Sequence, residues 1–161
     1  PIEGIMFRDI TPVLSEPELL RGVTDRFASL VAEFGWAPDA IVGPEARGFI
    51  FGPLLADRLG TGFVPVRKPC KLPARTIQQS YDLEYGSDAL EIHQDAIEQG
   101  QRVLIVDDLL ATGGTARAAL DLVRKTGGEV VGMAFLVELQ FLNGRARLGD
   151  VPLFVALRYT S

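Results

Sequence analysis

Two adjacent acids, Asp107 and Asp108, follow the unbroken apolar run Val103-Leu-Ile-Val106 and precede Leu109-Leu-Ala-Thr-Gly-Gly-Thr115. The apolar run is short enough to be a fully buried strand of a parallel sheet. The segment 111–115 is a small, glycine-rich turn into a helical pattern that begins near Ala116. Such a turn aims several backbone N–H groups at one spot, and the helix dipole adds partial positive charge there, so the spot suits a phosphate. Gly113 and Gly114 let the backbone approach the anion, while Thr112 and Thr115 add hydroxyl donors. The two carboxylates would repel that phosphate. They suit hydroxyl groups, as acceptors, or a divalent cation. A ligand carrying a phosphate and vicinal hydroxyls a few ångströms apart satisfies both halves: a ribose phosphate. The stretch is not a P-loop, since it lacks the lysine of G-x-x-x-x-G-K-[ST], and it is not G-x-G-x-x-G. An ordinary strand–turn–helix with two surface acids is the plain alternative. It explains a lone Gly-Gly better than it explains paired acids followed by Thr-Gly-Gly-Thr.

Three other segments carry groups able to do chemistry. Arg47 lies in Gly43-Pro-Glu-Ala-Arg-Gly-Phe-Ile-Phe-Gly52, just after the short apolar run Ala40-Ile-Val42. A cation at a helix start opposes the dipole and calls for an anionic partner, either an internal acid or a pyrophosphate shared with the turn's N–H groups. Arg67-Lys-Pro-Cys-Lys-Leu-Pro-Ala-Arg75 places four of the chain's 16 basic residues in nine positions, interleaved with prolines. That is either a solvated charge run or a mobile basic lid that closes on a polyphosphate. The arm 1–12, containing Phe7, Arg8 and Asp9, is either a simple covering segment or a flap over a planar ligand. Cys70 has no neighbour that would activate it as a nucleophile. His93, the single histidine, falls on an edge-like strand and is expected at the surface. No His/Cys cluster implies zinc, and no G-x-S-x-G implies a serine triad.

The elements that must position these groups follow from periodicity. Residues 16–34 predict an amphipathic helix with Leu20, Val23, Phe27, Leu30, Val31 and Phe34 on its apolar face, Ser15 as N-cap, Pro17 in the first turn and Gly35 past the end. Strands are predicted over 39–42, 62–66, 103–106, 130–139 and 151–157, with helices from Arg47 to about Leu59 and over 116–125. Residues 80–86 and 89–93 alternate polar and apolar side chains and predict a hairpin turning at 86–88. Strands alternating with helices indicate an α/β sheet with right-handed connections, and every ligand turn falls at a strand's carboxyl end, where open α/β sheets bind ligands.

Composition bounds the class. The chain has 161 residues, 47% hydrophobic and 23% charged, with a net charge of −5. One domain spanning 1–161 is expected. The acidic balance argues against a nucleic-acid or membrane-binding surface. A single cysteine excludes an internal disulfide and fits a reducing compartment. Without an 18-residue apolar run or a signal-peptide pattern, the cytoplasm is the expected location.

The run 103–115 closely resembles the 13-residue phosphoribosyl-pyrophosphate (PRPP) signature of the type I phosphoribosyltransferase family. The resemblance extends, in order, through Gly4-Ile-Met-Phe-Arg-Asp-Ile-Thr-Pro12, Ala46-Arg-Gly-Phe-Ile-Phe-Gly-Pro53, Arg67-Lys-Pro-Cys-Lys-Leu-Pro73, Tyr81-Asp-Leu-Glu-Tyr-Gly86 and Leu136-Val-Glu-Leu139 to the family's adenine-specific members. It implies the type I fold: a central, mostly parallel sheet flanked by helices, with a flexible lid and hairpin (67–93) and a small N-terminal hood (1–12). It implies the reaction adenine + PRPP → AMP + pyrophosphate, with Mg²⁺ held mainly by PRPP and water rather than by protein ligands, in a homodimer. Among the residues, it implies that Ala111, Thr112, Gly113, Gly114 and Thr115 hold the 5′-phosphate and that Asp107 and Asp108 hold the ribose hydroxyls. Arg47, Arg67, Lys68 and Lys71 would meet pyrophosphate, partly from a neighbouring subunit. Met6, Phe7, Arg8 and Leu139 would enclose adenine. Glu84 and Tyr85 match the lid's catalytic pair, together with Arg47, and the Glu45–Ala46 peptide is expected to be cis.

The chain departs from the pattern at Cys70, where the family usually has Gly, and at Arg75, where a small residue is common. The family's leading helix has little counterpart ahead of Pro1, so the hood is expected to be held less firmly. Two rivals remain open from the sequence: specificity for another purine base, which the hood decides, and a PRPP-sensing regulator, which would call for a basic face or an added DNA-binding domain.

Overall fold

A computed structural model of the chain describes residues 9–83 and 85–161. Met6, Phe7, Arg8 and Glu84 lie outside the described residues. The elements in order are α1 (Thr11–Ser15), α2 (Pro17–Glu33), β1 (Ala40–Pro44), α3 (Gly48–Leu59), β2 (Gly62–Val66), β3 (Thr76–Asp82), β4 (Ser87–His93), β5 (Arg102–Leu110), α4 (Gly114–Lys125), β6 (Glu129–Leu139) and β7 (Leu153–Tyr159), with two short 3₁₀ turns between β6 and β7. Five strands form one parallel sheet in the order β2-β1-β5-β6-β7. The antiparallel pair β3–β4 forms a separate hairpin. The α/β class and the flanked parallel sheet are as the sequence predicted.

Both faces of the sheet are covered, which is why its central strands read as continuous apolar runs rather than alternating ones. The period of two divides each strand between two cores. Ile41, Leu104, Ala134 and Leu136 face Phe27 of α2 and Phe51 and Leu55 of α3. Val42, Ile105, Met133 and Phe135 face Leu120 and Val123 of α4 together with Leu90 and Ile92 of the hairpin. The hairpin is therefore part of the second core along β4, while β3 lies outermost and half-exposed.

Several expectations are corrected. Ser15 does not cap α2; it ends α1 and donates its hydroxyl to the Pro12 carbonyl, while Glu16 occupies the N-cap without a side-chain bond. Pro17 starts α2 and resets the chain there, so one predicted helix boundary becomes a break between two helices. Phe34 is the C-cap, half-exposed and stacked on Trp36 at 5.1 Å, rather than a core residue. The Leu83 N–H donates to the Gly86 carbonyl and closes the hairpin, so Ser87 and Asp88 are strand residues, while Leu83, Tyr85 and Gly86 are not. His93 is half-buried, with its Nε2 enclosed and without a partner, rather than at the surface. Helix α4 starts at Gly114, two residues before the predicted Ala116, and β7 runs two residues later than predicted at both ends.

Candidate active site

The parallel register sets the geometry. Val42 of β1 lies beside Ile105 of β5, so the turn after β1 and the end of β5 share one edge of the sheet. Two glycines bring them closer than side chains would permit. A Cβ at Gly43 would sit 3.0 Å from the Val106 carbonyl and 2.8 Å from that of Gly48; one at Gly48 would sit 3.1 Å from the same Val106 oxygen. With both absent, the first turn of α3 seats directly against β5. Arg47, the N-cap of α3, then reaches across and donates from Nε to Asp108 in a direct ion pair.

A cavity opens there. It is lined by Glu45, Ala46, Arg47, Asp107, Asp108 and every residue from Leu109 to Ala116. The Glu45–Ala46 peptide at its rim is cis, as expected. Within the wall formed by 111–115, Gly113 is the N-cap, and its left-handed backbone (φ 87°) turns the chain into α4. This conformation is accessible to glycine at little cost and leaves the helix N-terminus open to an anion.

Asp108 is buried and paired with Arg47. Asp107 accepts the Asp108 N–H at 2.8 Å. Burial, and secondarily the neighbouring Asp108 carboxylate, push the Asp107 carboxyl well above the usual carboxylate range, against a smaller pull from the Asp108 N–H and Arg47. Like-charge crowding of this kind is relieved by hydroxyl donors or by a hydrated hard cation. Among the described residues, no group of three or more His, Cys, Asp or Glu side chains is placed to hold a metal by itself.

The predicted site residues thus divide. Arg47, Asp107, Asp108, Ala111, Thr112, Gly113, Gly114 and Thr115 converge on one cavity. Arg67 adjoins it through Glu45, whose Oε1 accepts the Arg67 Nε at 3.2 Å and the Lys68 backbone N–H at 2.7 Å. The Lys68 ammonium points elsewhere, to Asp88 and the Tyr81 hydroxyl. Burial opposes its charge, but those partners together hold its pKa above the ordinary lysine value. Lys71 is exposed on the 67–75 loop, and Tyr85 is 88% exposed at the hairpin turn. Leu139 is buried at the end of β6. The sequence reading missed Glu45, which ties the lid base to the cavity rim; an acid two residues before Arg47 was the available signal. It also missed Gly144, whose backbone lies against the 111–113 turn and which no local pattern marks.

The chain matches the model of the phosphoribosyl transferase domain over residues 9–151. It is 57% identical over 160 residues to an adenine phosphoribosyltransferase of Acidobacterium capsulatum, covering 99% of this chain and 87% of that protein. The crystal structure of adenine phosphoribosyltransferase from Thermoanaerobacter pseudethanolicus superposes with a TM-score of 0.95 at 52% identity, covering 99% of this chain and 91% of that one. The enzyme from Saccharomyces cerevisiae, solved with adenine and an imino-altritol bisphosphate, superposes with a TM-score of 0.93 at 46% identity, covering 98% and 90%.

Proposed function

Since the chain belongs to the phosphoribosyl transferase family, we propose that the cavity between β1 and β5 is where it transfers the 5-phosphoribosyl group of PRPP to adenine, giving AMP and pyrophosphate. The observation that carries this reading is the convergence of a helix-terminal phosphate turn, two carboxylates and one arginine on a single cavity. Identity above half to adenine-specific enzymes, over nearly the full chain, supports adenine as the base.

The N–H groups and hydroxyls of residues 111–115 hold the 5′-phosphate. Asp107 and Asp108 accept hydrogen bonds from the ribose hydroxyls and so fix the sugar carbon that reacts. Arg47 exchanges Asp108 for pyrophosphate, neutralising charge that grows on the leaving group as its bond to the sugar breaks. Arg67, Lys68 and Lys71 extend that positive surface, part of it contributed across a homodimer. Met6, Phe7 and Arg8 form the hood over adenine, and Leu139 packs on its other face. Glu84, next in sequence to Tyr85, accepts the proton that the base loses from N7 or N9 as N9 bonds to the sugar, a role worth typically about 10²–10⁴-fold. Asp107 and Asp108 are the carboxylates suited to the hydration shell of a Mg²⁺ that would accompany PRPP, and such an ion would supply charge neutralisation for the leaving group. No helix among the described residues is long and apolar enough to cross a membrane.

The test is a panel in which adenine, hypoxanthine, guanine and uracil are each mixed with PRPP and Mg²⁺ and pyrophosphate release is followed. Release with adenine at a kcat/KM at least about a hundredfold above that of the other bases is expected, since a site built for one hydrogen-bonding edge rejects the others strongly. Faster release with an oxopurine would overturn the base assignment.

A further inference from the structure

Outside the cavity, the most heavily invested polar group among the described residues is Glu138. It stands one residue before the end of β6, 2% exposed, paired in register with Leu110 of β5 on one side and Arg158 of β7 on the other. Its two carboxylate oxygens accept Nε and Nη2 of Arg145 at 2.6 and 2.8 Å, a bidentate geometry, and Arg158 lies 3.7 Å away. Hydrogen bonding to Glu138 raises the pKa of Arg145 further, so the guanidinium keeps its charge. A buried carboxylate is costly unless fully paired, and strand pairing alone already holds the end of β6. The ion pair instead fastens the segment that follows the strand.

That segment touches the phosphate turn. Gly144, next to Arg145, packs backbone to backbone on it: a Cβ on Gly113 would meet the Gly144 oxygen at 2.5 Å, and a Cβ on Gly144 would meet the Ala111 oxygen and, at 3.0 Å, the Gly113 nitrogen. On the far side, the Arg147 backbone carbonyl accepts a hydrogen bond from Nη1 of Arg117 of α4 at 3.1 Å. The turn 144–147 is therefore wedged between Glu138 and the start of α4, with the anion-binding backbone in front of it.

We infer that Glu138 is a positioning residue for the phosphate site, acting through Arg145 to hold Gly144 as a rigid backstop behind residues 111–113. The inference rests on the reading of that turn as the cradle for the 5′-phosphate of PRPP and AMP. A cradle of N–H groups works only while its backbone is fixed, and a displacement of about 1 Å at such a site can cost on the order of a hundredfold.

The experiment compares wild type, Glu138→Gln and Gly144→Ala by steady-state kinetics and by calorimetric titration with AMP. Gln keeps the shape of Glu138 and one acceptor but loses the charge-assisted fork; Ala at 144 presses on the turn directly and bypasses Glu138. Both are expected to raise KM for PRPP and Kd for AMP about tenfold or more, with kcat within about threefold, because the change is in binding the phosphate rather than in the transition state alone. If the Gln variant does not fold, Arg145→Gln provides the same measurement. Folded variants with wild-type KM and Kd, whatever their melting temperatures, would overturn the inference and leave Glu138 as a fold staple. A wild type that neither turns over PRPP nor binds AMP would instead overturn the functional reading beneath it, so the two failures are distinguishable.

Discussion

At the scale of single residues, Asp107 shows how the site trades stability for binding. Its carboxyl is held well above the ordinary value by burial and by Asp108. The native state therefore binds that proton more tightly than the unfolded chain does, and stability contributed by the protonated form is lost as pH rises from the ordinary carboxylate value through the raised one. Asp107→Asn mimics the protonated form at every pH. The variant is expected to melt at a higher temperature than wild type near neutral pH, and the gap should close as pH falls below the ordinary carboxylate value. Its affinity for AMP should drop by about tenfold through the lost charge-assisted hydrogen bond to the ribose. Calorimetric melting across pH checks this, and an Asn variant less stable than wild type at neutral pH would contradict it. The acids and the Thr-Gly-Gly-Thr turn were legible in the sequence because their chemistry is local: adjacent residues after an apolar run, although β5 extends past its predicted end at Val106 and takes both acids into the strand. Glu45 and Gly144 were not, because their value arises from partners 22 or more positions away, Arg67 for one and the 111–113 turn for the other.

At the scale of elements, the 67–75 loop is the instructive case. A free lid was one expectation; the structure pins both ends of it. Arg67 and Glu91 exchange backbone hydrogen bonds at 2.9 and 2.7 Å, and the Arg75 carbonyl accepts the Gln94 N–H at 2.9 Å. Movement must therefore come from within the loop, and there Cys70 holds a left-handed backbone, φ 65°, with its side chain exposed. That conformation explains why glycine is the common residue at this place, and the chain pays for the exception. A β-branched residue tolerates it worst. Cys70→Val is expected to unfold at lower urea than Cys70→Gly, by roughly 1–2 kcal/mol, since no packing of an exposed side chain offsets the backbone term. Equal stabilities would show that the loop relaxes out of this conformation. The helices and sheet strands were readable from apolar periodicity. The start of α2 was not, because the chain breaks at Pro17 and Ser15 spends its hydroxyl inside α1. The hairpin turn was displaced because alternation continues past Asp82 while pairing does not.

At the scale of the whole molecule, sheet, helices and hairpin are joined in two cores that share β1, β5 and β6, so a ligand at the edge of β1 and β5 bears on both. Saturating AMP, at about 100 times its Kd, should stabilise the fold by about 2.7 kcal/mol and raise the melting temperature by roughly 5–10 °C for a chain of this size. Adenine at the same molar concentration should do far less, because it reaches neither the phosphate turn nor the carboxylates and so binds more weakly. A melting scan with each ligand decides, and equal shifts would place the dominant contacts in the base pocket. The Arg47–Asp108 pair gives this coupling a logic of its own. Its acid is buried and its arginine is more than half exposed. A lone anion can win Arg47 only by leaving a buried carboxylate without its partner, and a lone sugar can win Asp108 only by stripping the arginine of its counter-charge. A molecule that offers an anionic group and hydroxyls together repays both losses at once. The pair is therefore expected to act as a coincidence gate at the pyrophosphate end of the site, holding free pyrophosphate or free ribose to weaker binding than PRPP, which brings both halves joined.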